Sequence, residues 1–119
     1  MRGIYLLVVL CLTVTAARAE TLEGRPTIID GDSIVVDGKP IRLWGIDAPE
    51  MDTRPGFVAK RYLRTLIADN AVRCEDNGQR AAGQIMAQCF LGDVDIGRVM
   101  VLSGNARDWP RHSGGYYSR

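Results

Sequence analysis

The sequence predicts an α+β fold, mainly β, in which a small antiparallel barrel carries two helices on its outside. Short β-rich segments, separated by Asp-Gly and Asn-Gly turn signals, lie on both sides of a segment with helical periodicity. A second helical segment follows the last predicted strands. No repeat, low-complexity tract or linker divides the chain after its first twenty residues, so we expect one small domain.

The first predicted strands form a hairpin. Residues 27–29 and 33–36 are β-rich, and Asp30-Gly31-Asp32 separates them. Asp37-Gly38 supplies the hairpin turn, and residues 41–46 run back as the next strand. Pro49 ends that strand because it biases the residue before it to an extended conformation.

Helical periodicity begins at Phe57 and continues to about Asp69. Apolar residues recur at i, i+4 and i+8 on the predicted buried face, with basic residues on the other: Val58, Tyr62 and Leu66, beside Ala59, Leu63 and Ile67, against Lys60, Arg61 and Arg64. Residues 71–75 and 85–91 are predicted strands. Residues 94–103 form the second helix, with Ile96, Val99 and Met100 inward and Gly104 as its stop. The tail is predicted to be irregular.

The first nineteen residues are typical of a secretory signal peptide. Arg2 gives the positive start, residues 4–14 the apolar core, and Ala17-Arg18-Ala19 the cleavage site. The apolar run is short for a membrane span, which needs about 20 residues; a retained N-terminal anchor is the alternative. We therefore expect an exported protein, periplasmic or secreted, whose domain occupies residues 20–119.

Net charge excludes a strongly basic nucleic-acid footprint. Loss of Arg2 and Arg18 on cleavage lowers the formal charge from +1 to −1. Any contact with nucleic acid must therefore be local. Three aromatic residues in the tail either stack on bases or pack in the core or an interface: Trp109, Tyr116 and Tyr117.

Cysteine usage predicts a cross-strand disulfide. Cleavage leaves Cys74 and Cys89, each in a segment of alternating apolar residues, with Asn77-Gly78 as a turn between them. The alternative is two buried thiols. A zinc site is not supported, because His112 is the chain's one histidine.

Acidic residues and one arginine cluster around the first hairpin. Asp32 and Asp47 offer carboxylates to a hard cation such as calcium if their strands lie side by side, and Glu50 reaches the same pocket through a water. Arg42 offers a planar fork for phosphate oxygens. Because a spacing of five puts Arg42 and Asp47 on opposite faces of a regular strand, the chain must bend near Ile46.

Each of these residues also has an ordinary structural explanation. Asp30 and Asp32 suit turns or caps beside Gly31, and Arg42 suits a solvated strand position. Residues 47–50 suit a polar strand exit. The residue types alone leave both interpretations open.

The order of these residues resembles the thermonuclease, or staphylococcal nuclease-like, family in its secreted bacterial branch. The match is carried by Asp30-Gly31-Asp32-Ser33 and by Arg42-Leu43-Trp44-Gly45-Ile46-Asp47-Ala48-Pro49-Glu50. Weaker similarity extends over residues 25–115, including Asp108-Trp109-Pro110 after the second helix. The resemblance implies an OB-fold-like five-stranded barrel with two packed helices. We expect the third, charged helix of relatives to be absent from this domain.

The resemblance also implies a cofactor and residue roles. Asp32 and Asp47 would be calcium ligands, with the Ala48 carbonyl as a third. Glu50 would position or deprotonate the attacking water, and Arg42 would bind the scissile phosphate. The implied substrate is nucleic acid, DNA or RNA.

One catalytic position departs from the family pattern. Active members carry a second arginine in a Tyr-Gly-Arg segment, and the aligned segment here is Ala82-Gly83-Gln84, with Gln84 at the arginine position. A neutral amide brings no charge, and loss of such a cation costs on the order of 10³-fold in rate. Arg80 either swings in as a substitute or is a solvated loop charge.

Three functions follow as hypotheses. The first is an exported calcium-dependent phosphodiesterase of nucleic acid, monomeric and without stable membrane association after cleavage. The second is a weakened or inactive barrel that binds metal and a nucleotide or oligonucleotide. The third is an interaction or stability module without a ligand.

Overall fold

A computed structural model describes residues 2–13 and 20–119. Residues 2–13 form no helix or strand, and their side chains are exposed. Among the described residues, none of the helices combines the length and apolar character needed to cross a membrane. The expected cleavage site, Ala17-Arg18-Ala19, lies outside the described residues, so the leader and its boundary at residue 19 remain predictions.

Nine strands and three helices make up the described part of the chain. The strands are β1 (Thr21–Gly24), β2 (Thr27–Ile28), β3 (Ser33–Val36), β4 (Lys39–Leu43), β5 (Ile46–Asp47), β6 (Val72–Ala81), β7 (Gln84–Leu91), β8 (Val94–Asp95) and β9 (Arg107–Asp108). The helices are α1 (Arg54–Ile67), α2 (Ile96–Leu102) and the one-turn α3 (Pro110–Ser113), followed by a 3₁₀ turn at Tyr116–Ser118.

The fold is α+β and mainly β, as the sequence predicts. Seven strands form one sheet in the order β1-β6-β7-β4-β3-β2, with β8 beside β7, while β5 and β9 pair separately. The sheet differs from the expected five-stranded barrel, because its described strands are not closed by hydrogen bonds. Its outer strands are short, and β2 has only two residues. Pro26, just before β2, also has no N–H to donate to a ladder.

The first hairpin forms where the turn signal predicts it. Val36 pairs with Lys39, and Asp37 and Gly38 have φ of 51° and 71°, the left-handed pair of a type I′ turn. Strand β4 ends at Leu43, earlier than predicted. The chain then turns through Gly45, with φ of 75°, so the bend lies next to Ile46, as predicted.

The second hairpin turns later than predicted. Ala82 and Gly83 form its turn, with φ of 48° and 77°, and the Asn77-Gly78 pair instead lies in a bulge where the β6–β7 register shifts. Cys74 and Cys89 face each other in register, with Cα atoms 4.0 Å apart, and form the expected disulfide.

Helix α1 begins three residues before the predicted start. The Thr53 hydroxyl caps it by accepting the Gly56 N–H at 3.2 Å. The buried face is formed by Ala59, Leu63 and Ile67, together with Gly56. The parallel stripe of Val58, Tyr62 and Leu66 is not the core face, since Val58 and Tyr62 are exposed.

Helix α2 begins at Ile96, and the two residues predicted as its first turn form strand β8. The Asp95 carboxylate caps it by accepting the Arg98 N–H. Ile96 and Met100 are buried as predicted, Val99 is half-buried, and Gly104 follows the helix end. The inward residues of α1 and α2 join those of β3, β4, β6 and β7 in one apolar cluster.

The tail is ordered, although its sequence has no periodicity. Asp108 accepts hydrogen bonds from the hydroxyls of Ser113 and Ser118, which folds α3 and the 3₁₀ turn back on β9. Tyr117 is buried, and its hydroxyl donates to Asp95 at 3.0 Å. Helix α3 has only four residues.

The disulfide should account for a large share of the stability. The free energy of unfolding of the Cys74→Ala/Cys89→Ala variant should be about 3 kcal/mol lower than that of oxidised wild type, because the crosslink no longer restricts the unfolded chain. Urea unfolding of oxidised wild type, reduced wild type and the variant measures this. A reduced wild type with an unchanged midpoint would contradict the expectation.

Candidate functional site: a cleft between carboxylates and arginines

A cleft of about 240 Å³ gathers every residue to which the resemblance assigns a role. These residues come from the turn before β3, from β4, from the segment between β5 and α1, and from the first position of β7. Its lining residues are Ile29, Asp30, Asp32, Ser33, Arg42, Asp47, Ala48, Pro49, Glu50 and Gln84.

A tight turn places Asp32 at the start of β3. The Asp30 side chain accepts the Asp32 N–H at 3.0 Å, so Asp30 is a turn residue. Gly31 is required there, because a Cβ on it would lie 2.8 Å from the Cβ atoms of both Ala48 and Ala59. The turn therefore packs directly against helix α1 and the segment after β5.

The Asp32 carboxylate is buried and joins three segments. Its Oδ2 accepts the Ala48 N–H at 2.8 Å and pairs with Arg42 Nη2 at 3.1 Å, while its Oδ1 accepts the Ser33 hydroxyl at 3.3 Å. Burial, and secondarily the neighbouring Asp30 carboxyl, raises the pKa of Asp32 to about 7, although Ala48 and Arg42 oppose the shift. Burial therefore outweighs the hydrogen bond and the guanidinium that favour the ionised carboxylate.

Arg42 lies between the two predicted ligand carboxylates. Its Nη2 is 3.1 Å from Asp32 Oδ2 and 3.4 Å from Asp47 Oδ1. The guanidinium also stacks 4.9 Å from the centre of the Trp109 ring. Its Nε is buried and has no hydrogen-bond partner in the part of the chain that the structure describes. One donor of this buried guanidinium is thus unsatisfied by the described residues.

Asp47 is held by a second arginine that the sequence analysis did not single out. Strands β5 and β9 place Arg107 opposite Asp47, and its Nε and Nη2 donate to Asp47 Oδ2 at 3.3 and 3.1 Å. The two residues are sixty positions apart. No local signal predicts this pairing. The adjacent Asp108-Trp109-Pro110 segment is notable in the sequence only for its similarity to the family.

Glu50 is fixed through its backbone at the start of α1. Its carbonyl accepts the Thr53 N–H at 3.1 Å and the Thr53 hydroxyl at 2.6 Å. A Cβ on Gly56 would lie 1.8 Å from the same carbonyl oxygen, so glycine is required for this contact. The Glu50 side chain is exposed at the cleft, where it can reach solvent.

Gln84 lines the cleft as the first residue of β7. Its amide donates to the Ser33 hydroxyl at 3.2 Å, and Ser33 donates to Asp32. Arg80 does not join this cleft: its two Nη atoms each lie 2.9 Å from the Asp76 carboxylate. Arg80 therefore does not stand in for the missing arginine in this conformation.

The tail aromatics are divided between core and cleft. Tyr117 is buried, and Tyr116 packs with it against Trp44. Trp109 is half-buried and packs on Arg42, as described above. Tyr117 therefore packs in the core and Tyr116 packs against it, as one of the two interpretations predicts. Trp109 instead packs on Arg42, which lines the cleft.

The donor set suits a weakly held hard cation. Asp32 and Asp47 both contact Arg42 Nη2, so their carboxylates converge on one position that carries a positive charge. Calcium binds carboxylate, carbonyl and water oxygens, and these two carboxylates are ligands of that type. Within residues 2–13 and 20–119, no group of three or more His, Cys, Asp or Glu side chains is arranged around one metal position. A cation here would have two carboxylates and would need backbone and water oxygens for the rest.

The fold and cleft define a small α+β protein with a site built from carboxylates and arginines. Comparison with protein-family profiles gives no match. The succinoglycan biosynthesis protein ExoI of Rhizobium meliloti (strain 1021) is 32% identical to the chain over 124 residues. That alignment covers 94% of this chain, which spans 65% of the relative's length. The relationship neither supports nor contradicts the thermonuclease resemblance.

Ionisation of Asp32 should destabilise the fold as the pH rises. Its pKa is about 7 in the folded protein and about 3.9 in an unfolded chain. The folded state therefore binds more protons between about pH 4 and pH 7, and stability falls as the pH rises through that window. In Asp32→Asn, the loss of free energy of unfolding between pH 4 and pH 7 should be smaller than in wild type by at least about 1 kcal/mol, since one pKa unit corresponds to about 1.4 kcal/mol.

Urea unfolding in EDTA from pH 4 to pH 8 measures the effect. Asp37→Asn is the matched control, because Asp37 is an exposed residue of the β3–β4 turn, where asparagine also fits. Equal pH dependence in wild type and Asp32→Asn would contradict the assignment.

Proposed function

We propose that the protein is a thermonuclease-like, calcium-dependent phosphodiesterase that hydrolyses DNA or RNA after export. The observation that carries the proposal is the position of Arg42 between Asp32 and Asp47, in one cleft with Glu50. The motif resemblance supports the same conclusion, since these are the residues that it aligns with the family's active site.

The two carboxylates are the proposed ligands of the cation. Asp32 is anchored by the Ala48 N–H, which it accepts at 2.8 Å. The resemblance adds the Ala48 carbonyl as a third ligand. A bound calcium ion supplies positive charge that stabilises the phosphoryl oxygens as charge develops on them.

Arg42 is the proposed phosphate-binding residue. Its side chain is largely buried and stacks on Trp109, so its planar fork is held in a limited set of orientations. The unpartnered Nε offers a donor that no residue in the described part of the chain satisfies. Charge-assisted, bidentate hydrogen bonds to phosphate oxygens are the strongest that such a group makes.

Glu50 is the proposed base for the attacking water. Its exposed carboxylate stands at the cleft, while its backbone is fixed against Thr53 and Gly56. A carboxylate that is held at the backbone and free at its tip can accept a proton from a water placed between it and the phosphate. The Glu50 carboxylate would take the proton of the water as the new P–O bond forms, while the P–O bond to the leaving nucleotide oxygen breaks and that oxygen takes a proton from solvent.

A second candidate function is binding without turnover, and Gln84 favours it. Its amide donates to Ser33, and it contributes no charge to the phosphate site. A domain with one arginine at the phosphate position would still bind metal and a nucleotide or oligonucleotide. Calcium-dependent binding without cleavage distinguishes this candidate from the first.

Glu50→Gln should lower calcium-dependent cleavage of single-stranded DNA by about 10²-fold or more, because a general base typically contributes 10²–10⁴. The substitution keeps the shape of the side chain and removes its basicity. Release of acid-soluble nucleotides, with calcium and with EDTA, measures the rate.

Glu23→Gln is the matched control, because Glu23 is exposed on β1 and lines no part of the cleft. Wild-type protein that cleaves no DNA or RNA with calcium, or cleavage that Glu50→Gln leaves unchanged, would contradict the proposed enzyme.

A further inference from the structure

A second guanidinium, which no family motif assigns, contacts Asp47 at the edge of this cleft without lining it. Arg107 lies on β9, opposite Asp47 on β5, and donates twice to Asp47 Oδ2. We propose that Arg107 is the second phosphate-binding cation of this cleft, supplying the charge that Gln84 lacks. This inference rests on the phosphodiesterase function proposed above.

Two arginines flank one carboxylate. Arg42 contacts Asp47 Oδ1 at 3.4 Å, and Arg107 contacts Asp47 Oδ2 at 3.1 Å. A phosphodiester also presents two unesterified oxygens that carry negative charge, and guanidinium groups recognise such a pair in the same way as a carboxylate. A phosphate that replaces these contacts with Asp47 would therefore meet donors from both arginines.

Exposure decides which arginine is available. The Arg107 side chain is 83% exposed and the Asp47 side chain 31% exposed, so this pair contributes little to stability and is easily exchanged. Arg80 differs, because its partner Asp76 has a side chain only 9% exposed. Withdrawing Arg80 would leave a buried carboxylate unpaired, which is costly.

Cation binding at Asp47 would favour the exchange. A cation held by Asp47 takes over the negative charge that now attracts Arg107, and its positive charge repels the guanidinium. Arg107 is then free to turn to the phosphate. Binding of the cation and binding of the phosphate should therefore strengthen each other.

A second cleft begins at Arg107. It has a volume of about 380 Å³, shares Asp47, Ala48 and Pro49 with the first cleft, and is closed on its other side by residues 104–107. Asp47, Ala48 and Pro49 thus separate the two clefts, and Arg107 faces Asp47 from within the second one. A single-stranded chain whose phosphate lies at Arg42 has room to continue past Arg107 into this second cleft.

The test compares Arg107→Gln and Arg107→Lys with Arg61→Gln. Arg61 is the matched control, because it is exposed on α1 and lines a separate groove with Val58 and Tyr62. Two quantities are measured: the Kd of a fluorescent single-stranded oligothymidylate, in EDTA and in calcium, and kcat/KM for cleavage of single-stranded DNA. Calorimetry measures the calcium Kd of each variant.

Arg107→Gln should weaken oligothymidylate binding in calcium at least tenfold, lower kcat/KM by a similar factor or more, and reduce the salt dependence of binding by about one unit of slope. Arg107→Lys should retain part of the affinity, and Arg61→Gln should stay within twofold of wild type. Gln84→Arg should raise kcat/KM more in the Arg107→Gln background than in wild type, because the new arginine then replaces the positive charge lost at position 107.

The outcomes separate this inference from the proposed function. Wild type that cleaves DNA while Arg107→Gln matches Arg61→Gln would overturn the role of Arg107 alone. So would an Arg107→Gln variant with tighter calcium binding and unchanged oligothymidylate binding, since Arg107 would then only balance Asp47. Wild type that neither binds nor cleaves nucleic acid overturns both.

Discussion

The buried carboxylate of Asp32 holds together the segments from which the cleft is built. It receives the Ala48 N–H from the segment after β5 and the Arg42 guanidinium from β4, while its own backbone follows a glycine turn packed on α1. Burial of an ionisable group without full charge compensation is unfavourable, as its raised pKa indicates. A residue that destabilises the fold in this way is typical of functional sites, where perturbed pKa values cluster.

Charge balance explains why the remaining residues lie where they do. Arg42 serves two carboxylates at once, and Arg107 adds a second guanidinium to Asp47 from a strand far along the chain. Trp109 covers one face of Arg42, so β9 and the residue after it contribute both a charge and a surface to the cleft. The tail is thus part of the site, and the fold of the tail around Asp108 positions it.

The sequence predicts those parts of the fold whose signals are local. The Asp37-Gly38 turn and helix α1 both follow from neighbouring residues. The turn at Ala82-Gly83, instead of Asn77-Gly78, is set by the β6–β7 register. The buried face of α1 is set by close packing of Ala59 on Gly31. The pairing of Arg107 with Asp47 depends on strands sixty residues apart, and no short-range pattern encodes it.

The central claim is that Asp32 and Asp47 converge on a cation position beside a phosphate-binding arginine. Calorimetric titration of the protein with calcium at pH 7.5, repeated with Asp47→Asn and with Asp37→Asn as the exposed control, tests it most directly. The account predicts one saturable calcium site in wild type and Asp37→Asn that is lost or strongly weakened in Asp47→Asn. Absence of saturable heat in wild type, or equal calcium affinity in all three proteins, would contradict it.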